Sequence, residues 1–204
     1  NSIDLGVPVL CGTFVGTGGD AACVGCLDGS VRFVDFKTGA ARVVGAHDDG
    51  AVSAVEYDDA TKKLFTFGWD RTIRAWDLTK DERGRAVSTT KTAGKCYAAD
   101  LRDGKIFVAT SDGQVLAYET GDLVRGVDGD DGRRASEAPP RPLINRRSSM
   151  RFQTRAIAAN VRGDGFVAAS VEGRVAVEFI RDEENEKRRY AFKCHRKTDD
   201  ASVG

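Results

Sequence analysis

Histidine is scarce in this chain, with only His47 and His195 among 204 residues. There are no paired metal ligands, no G-x-S-x-G nucleophile turn and no phosphate-cradling glycine loop. Catalysis is therefore not expected, and no metal or cofactor is implied. An excess of either charge is also lacking. Lysine plus arginine and aspartate plus glutamate number 31 each, so no global field draws the chain to nucleic acid or an acidic membrane. Local patches must carry any electrostatic function. No apolar run approaches the roughly 20 residues needed to span a bilayer, and no charged-then-apolar leader precedes a cleavage-like site. The chain reads as soluble and intracellular. The five cysteines, Cys11, Cys23, Cys26, Cys96 and Cys194, are odd in number and lack disulfide-framework spacing, which fits a reducing compartment. Cys23-x-x-Cys26 invites a zinc reading, but a structural zinc site needs four ligands and no second pair is present. Both lie in AACVGCLD, where strand alternation sends them to opposite faces, so burial as small apolar side chains is expected.

What is present is a repeat. WDRTIRAWDL, from Trp69 to Leu78, recurs in altered form as LDGSVRFVDF (Leu27 to Phe36), SDGQVLAYET (Ser111 to Thr120) and VEGRVAVEFI (Val171 to Ile180). Asp28, Asp70 and Asp112 stand 42 residues apart, and Glu172 follows Asp112 by 60. Each acid precedes Gly29, Arg71, Gly113 or Gly173 and then a β-branched residue, Val31, Ile73, Val115 or Val175. An acid and a glycine between apolar runs signal a hairpin. A period of about 40 to 45 residues with several short strands per unit is the signature of an all-β propeller of WD-repeat type.

The remaining text divides into such units. PVLCGTFVG, AACVGCLD, SVRFVDF and AARVVGAH make one blade, and AVSAVEYD, KLFTFGWD, TIRAWDL and GRAVSTTKT a second. KCYAADLRD, KIFVATSD and QVLAYET open a third, while TRAIAANVR, GFVAASVE, RVAVEFI and RRYAFKCHR form a fourth. Residues 1–204 are thus expected to be one propeller array of about four blades, either closed on itself or part of a longer one. Inner strands such as KLFTFGW and RVAVEFI should be covered on both faces by neighbouring blades. His47 precedes Trp76-Asp77 at the spacing of a histidine hydrogen-bonded within its blade, and Trp69 and Trp76 read as packing residues. The spacing breaks between the third and fourth copies, where residues 123–143 are expected to form a disordered insertion containing Pro139, Pro140 and Pro142. The third blade's outer strand must come from this region, at a place the pattern does not give. Arg133-Arg134-Ala135-Ser136 resembles a site for basic-directed kinases.

One stretch is strongly basic. From Ala138 to Gly163 there are six arginines, Arg141, Arg146, Arg147, Arg151, Arg155 and Arg162, and no acid. Arginine is favoured over lysine where carboxylate or phosphate is gripped by parallel hydrogen bonds, so the composition tilts toward an acidic or phosphorylated ligand. Arg174 adds to it by following the Glu172-Gly173 turn, where other copies carry Ser30, Thr72 and Gln114.

NRRSSMRFQTRAI, SVEGRVAVEFI and KRRYAFKCHR, in that order, together with GWDRTIRAWDL and GAHDDGAVSAVEY, resemble the WD-repeat family of the mitotic spindle checkpoint that partners the Bub-family kinases. A related family, the propellers of mRNA export and nuclear-pore binding, shares the EGRVA and FKCHR words. The checkpoint resemblance implies a seven-bladed propeller and a non-enzymatic scaffold, nuclear and at kinetochores in mitosis. It implies capture of a short acidic GLEBS segment of the checkpoint kinases and docking on phosphorylated Met-Glu-Leu-Thr motifs of a kinetochore scaffold. It also implies a place in the checkpoint complex that inhibits a ubiquitin ligase. Carried over by motif, Arg155 and Arg174 would contact the phosphothreonine, and Lys193 and Arg196 the acidic peptide. The export resemblance would instead imply a nucleoporin peptide and single-stranded RNA as ligands.

Overall fold

The computed structural model describes residues 2–79, 85–125 and 139–194. Within them the chain folds as four antiparallel meanders of four strands, each hydrogen-bonded in chain order. The first sheet is β1 (Val9–Phe14), β2 (Ala21–Cys26), β3 (Ser30–Asp35) and β4 (Ala41–Ala46). The second is β5 (Val52–Asp58), β6 (Lys63–Gly68), β7 (Thr72–Trp76) and β8 (Ser88–Lys91). The third is β9 (Cys96–Arg102), β10 (Lys105–Thr110), β11 (Gln114–Glu119) and β12 (Ile144–Arg147), and the fourth is β13 (Thr154–Ala159), β14 (Gly165–Ser170), β15 (Arg174–Phe179) and β16 (Tyr190–Lys193). The inner strands β1, β5, β9 and β13 pack side by side in succession, which is the propeller arrangement expected from the repeat.

The repeated acid and glycine sit at the turn between the second and third strands of every sheet. Gly29, Arg71, Gly113 and Gly173 all have positive φ, between 63° and 85°. Each closes a turn by donating its N–H to the carbonyl three residues earlier, that of Cys26, Gly68, Thr110 and Ser170 respectively. Arg71 holds a conformation in which glycine is at ease and other residues are strained.

The missing outer strand of the third sheet is β12, which pairs with β11 from Gln114↔Arg147 to Ala117↔Ile144. It is reached through a short helix, α1 (Thr120–Val124), whose Leu123 is 1% exposed in the core between the second and third sheets. Residues 126–138, which include most of the expected insertion and Arg133 to Ser136, lie outside the described residues. A second helix, α2 (Asp182–Arg188), joins β15 to β16. Asp182, Glu183 and Glu184 in its first turn and Lys187 and Arg188 in its last complement the helix dipole.

Three apolar cores lie between successive sheets. Cys23, Val31, Val44, Leu64 and Trp76 join the first and second; Phe65, Phe67, Ile73, Ile106 and Val108 join the second and third; Phe107, Val115, Ile157 and Phe166 join the third and fourth. Coverage of every sheet on both faces, expected from sequence, does not extend to the two ends. Phe14, Phe36 and Val43 of the first sheet are 64, 48 and 49% exposed, and Tyr190 and Phe192 of the fourth are 60 and 44% exposed. Among the described residues the four sheets form an arc, in which β1 and β13 do not pack side by side as the successive inner strands do.

His47 lies in the link from β4 to β5, and its bonds run to the second sheet. Its Nδ1 is 2.8 Å from Asp70 Oδ1 and its Nε2 is 2.8 Å from Thr66 Oγ1. Trp76 Nε1 donates to the same Thr66 hydroxyl at 2.8 Å. The bonds form one chain from the indole through the Thr66 hydroxyl and the His47 ring to Asp70. Burial raises the Asp70 carboxyl, but hydrogen bonds from His47 and Thr72 and the charge of Arg74 outweigh it and bring it down to about 2.

Candidate functional site

The strand register gathers the basic residues of the fourth sheet at one end. Thr154 pairs with Ser170 and Ala156 with Ala169, which leaves Arg155 as the extra residue of a β-bulge on β13. Ala169 pairs with Val175, and Arg174 is the first residue of β15. Arg174 in turn pairs with Lys193 on β16. Arg155, Arg174 and Lys193 therefore form a row across the sheet beside the Glu172-Gly173 turn. With neighbouring strands about 4.8 Å apart, the row spans about 15 Å. Arg155 and Lys193 are exposed, whereas Arg174 is half-buried. The Nε of Arg174 is shielded from water without a hydrogen-bond partner among the described residues. A guanidinium N–H so placed suits an incoming phosphate or carboxylate oxygen. Arg196 and His195 lie outside the described residues.

Not every arginine of the basic stretch is available. Arg146, on β12, reaches across to the fourth sheet, where its Nε lies 3.4 Å from Glu178 Oε2, its Nη1 3.3 Å from Asp182 Oδ1, and its Nη2 donates to the carbonyl of Phe179. It fastens two blades together, a correction to its grouping with the ligand candidates. The sequence signal for this was Glu178, an acid inside an otherwise apolar strand, which is 2% exposed. Arg151 lies over the ring of Phe152, at 5.8 Å from its centroid.

Arg155 also borders a cavity of about 270 Å³ at the centre of the arc, lined by residues of all four inner strands, including Cys11, Ser53, Glu56 and Tyr97. Glu56 is the residue here that sequence reasoning missed. Burial, with a smaller push from the Asp100 charge, raises its carboxyl to about 8, against the opposing charge of Arg102. Below about pH 4.5 the folded and unfolded chains both hold this proton. Between 4.5 and 8 only the folded chain does, so its stability falls as pH rises through that window. Glu56→Gln removes the ionisation and is expected to raise stability at pH 9 by about 2–4 kcal/mol while changing little at pH 4, as read by urea unfolding at the two pH values.

Cys23 and Cys26 are both fully buried, in line with the small apolar role expected. Burial pushes the thiols of Cys11, Cys23 and Cys96 up to about 12, so they are protonated near neutrality. Trp76 is 1% exposed, as a packing residue should be. Trp69 is half-buried with Lys95 Nζ 5.8 Å from its ring centroid. Among the described residues no group of three His, Cys, Asp or Glu could hold a metal, and no helix is long and apolar enough to cross a membrane.

Comparison with solved structures supports the architecture. The arc resembles the β-propeller domain of Cps50 (Swd1) from Myceliophteria thermophila, with a TM-score of 0.67 and 18% identity over 92% of this chain and 56% of that one. It resembles the computationally designed Ika4 protein at a TM-score of 0.64 and 15% identity, over 86% of this chain and 92% of that one. The designed Ika8 protein matches at 0.59 and 15%, over 84% of this chain and 46% of that one. No protein-family model matches the chain. Among curated proteins, it is 34% identical to the mitotic checkpoint protein bub-3 of Caenorhabditis elegans, over 95% of this chain and 51% of the relative. It is 35% identical to mitotic checkpoint protein BUB3.1 of Arabidopsis thaliana, over 84% and 46%. It is also 30% identical to the poly(A)+ RNA export protein of Schizosaccharomyces pombe, over 87% and 46%. The chain spans about half the length of these relatives. It is a WD-repeat β-propeller chain homologous to the Bub3-type mitotic checkpoint proteins.

Proposed function

We propose that this chain is a non-enzymatic scaffold of the spindle assembly checkpoint that grips phosphorylated and acidic peptides with the basic row of its fourth sheet. The observation that supports the reading is the convergence of Arg155, Arg174 and Lys193 at one end of that sheet, with Arg174 Nε shielded and without a hydrogen-bond partner among the described residues. A phosphothreonine brings nearly two negative charges and three strong acceptors, which an arginine pair about two strand spacings apart can hold from both sides. The expected ligands are phosphorylated Met-Glu-Leu-Thr motifs of a kinetochore scaffold at Arg155 and Arg174, and GLEBS segments of Bub-family kinases at Lys193 and Arg196. Such a protein works in the nucleus and at mitotic kinetochores, and contributes to the complex that restrains a ubiquitin ligase. The homology to checkpoint proteins supports this assignment over catalysis.

The test is a calorimetric titration of the chain with phosphorylated and unphosphorylated Met-Glu-Leu-Thr peptides. Phosphate-dependent binding is expected to weaken by about 1.5–3 kcal/mol in Arg155→Ala and in Arg174→Ala, the range for hydrogen bonds to charged groups. Equal binding of the two peptides would overturn the reading. The similarity to an RNA export protein favours a second one, an export adaptor binding a nucleoporin peptide and single-stranded RNA. Its mark would be RNA binding that falls steeply with salt and needs no phosphothreonine.

A further inference from the structure

The seam between the third and fourth sheets is built from different residues than the other two. Six positions after the repeated acid, the second copy carries Trp76, which is 1% exposed and lies against Gly45 of β4. The third copy carries Tyr118 there, buried in the core shared with the second sheet. The fourth carries Glu178, 2% exposed. The facing strand changes with it. Gly45 pairs with Val31, and Arg146 pairs with Val115, the equivalent residue of the third copy, so an arginine stands where the first seam has its glycine. Glu178 is completed from the loop after β12, where the backbone N–H and the hydroxyl of Ser149 both donate to its Oε1, at 3.2 and 2.7 Å. Arg146 holds Oε2 from 3.4 Å while also reaching Asp182 and the carbonyl of Phe179. A polar seam of this kind depends on every partner, because a buried charge that loses one is stranded.

We propose that Ser149 is a phosphorylation site of a basic-directed protein kinase, and that the phosphate opens this seam. Arg146-Arg147-Ser148-Ser149 puts arginines three and two residues before the acceptor, the same arrangement as Arg133-Arg134-Ala135-Ser136. Ser149 is exposed and lies outside any strand or helix, and Arg147 close by is exposed as well. Ser148 is the poorer acceptor, being 8% exposed with its Oγ accepting from the N–H of Met150. In the transfer a bond forms between Ser149 Oγ and the γ-phosphorus of ATP while the bond from that phosphorus to the bridging oxygen breaks. ADP leaves, and the hydroxyl proton passes to the catalytic carboxylate of the kinase. The product has no hydroxyl hydrogen to give Glu178. It sets nearly two negative charges beside a buried carboxylate, an arrangement in which phosphate disrupts by repulsion. One guanidinium cannot balance a carboxylate and a phosphate together. Arg146 is itself a fifth exposed; recognition by the kinase draws it from Glu178, and the phosphate then keeps the seam from closing again.

The test uses the full chain with Ser136→Ala, which removes the other such acceptor, incubated with ATP and the catalytic subunit of cyclic-AMP-dependent protein kinase. Mass spectrometry is expected to place the phosphate on Ser149. Incorporation should be roughly tenfold slower in Arg147→Ala, which alters no partner of Glu178 and removes one charged contact to the kinase. The phosphorylated chain, separated from the unmodified one, is expected to unfold at lower urea concentration, its unfolding equilibrium constant raised about tenfold or more by the lost hydrogen bonds to a charged group. Ser149→Asp should reproduce that loss and Ser149→Ala a smaller one. In the double variant Arg146→Met with Glu178→Leu, where the seam is apolar, Ser149→Asp should change stability little. No incorporation at Ser149, a phosphorylated chain as stable as the unmodified one, or a Ser149→Asp loss undiminished in the apolar seam would each overturn the proposal.

Discussion

Trp76→Ala is expected to cost about 3–5 kcal/mol, the range for removing a large aromatic from a packed core, a sizeable share of the roughly 5–15 kcal/mol that holds a domain together. The indole is 1% exposed between the first and second sheets. It fits there because position 45 is glycine, where an added Cβ would come within 2.2 Å of the ring. Gly45→Ala should therefore destabilise through the same contact, without touching any hydrogen bond. Trp76→Phe separates packing from polarity: it keeps most of the ring but loses the donor to Thr66, and about 1–2 kcal/mol is expected. Thr66 remains bonded to His47 in that variant, so the bond from His47 to Asp70 and the turn that Asp70 braces should persist. Urea unfolding with unchanged m-values would give all three numbers. A Trp76→Phe loss equal to that of Trp76→Ala would show that the hydrogen-bonded chain, not the packing, dominates.

The repeat was legible because its turn chemistry is local. An acid followed by a residue with positive φ recurs four times, and the sheets could be drawn around those turns. The strands flanking them matched closely, since strand pairing in a meander follows from chain order. What the sequence hid depends on long-range packing. β12 is short, follows the break in the period, and reads as basic text, INRR, because only Ile144 faces a core. Its pairing to β11 becomes visible only when Arg146 is seen to answer Glu178 in the next blade. RVAVEFI read as doubly covered because its residues are apolar on both sides. Coverage, however, is a property of the neighbour and not of the strand: among the described residues a sheet lies against β15 on one side, while on the other Arg188 of α2 reaches over the Phe179 ring.

The candidate site was legible as words and not as geometry. Arg155 and Arg174 were singled out by their motifs, but that they share one end of a sheet with Lys193 depends on the bulge at Arg155 and on the register of β16. Glu56 gave no signal, because an acid in AVSAVEYD reads as an outward-facing residue. Its environment is made by β1, β9 and β13, strands 40 to 100 residues away in sequence.

The junction beneath that site carries the second large effect. Arg146→Ala is expected to destabilise the chain by about 3 kcal/mol, because it leaves the Glu178 carboxylate, with a 3% exposed side chain, without its cation. The low end of the range for a broken buried pair applies. Arg146 is itself a fifth exposed, and Ser149 still donates from its hydroxyl at 2.7 Å and its backbone N–H at 3.2 Å to Glu178 Oε1. Replacing both partners, as Arg146→Met with Glu178→Leu, should recover most of the loss, since an apolar pair needs no charge balance. Recovery in the double variant would show that the cost of the single one is the stranded carboxylate and not lost contact area. It would also separate structure from recognition. If Arg146 gripped an acidic ligand directly, the double variant would be stable yet weak in binding. If it only holds the third and fourth sheets in register, the double variant should bind phosphopeptide as the wild type does, because Arg155, Arg174 and Lys193 keep their places on β13, β15 and β16.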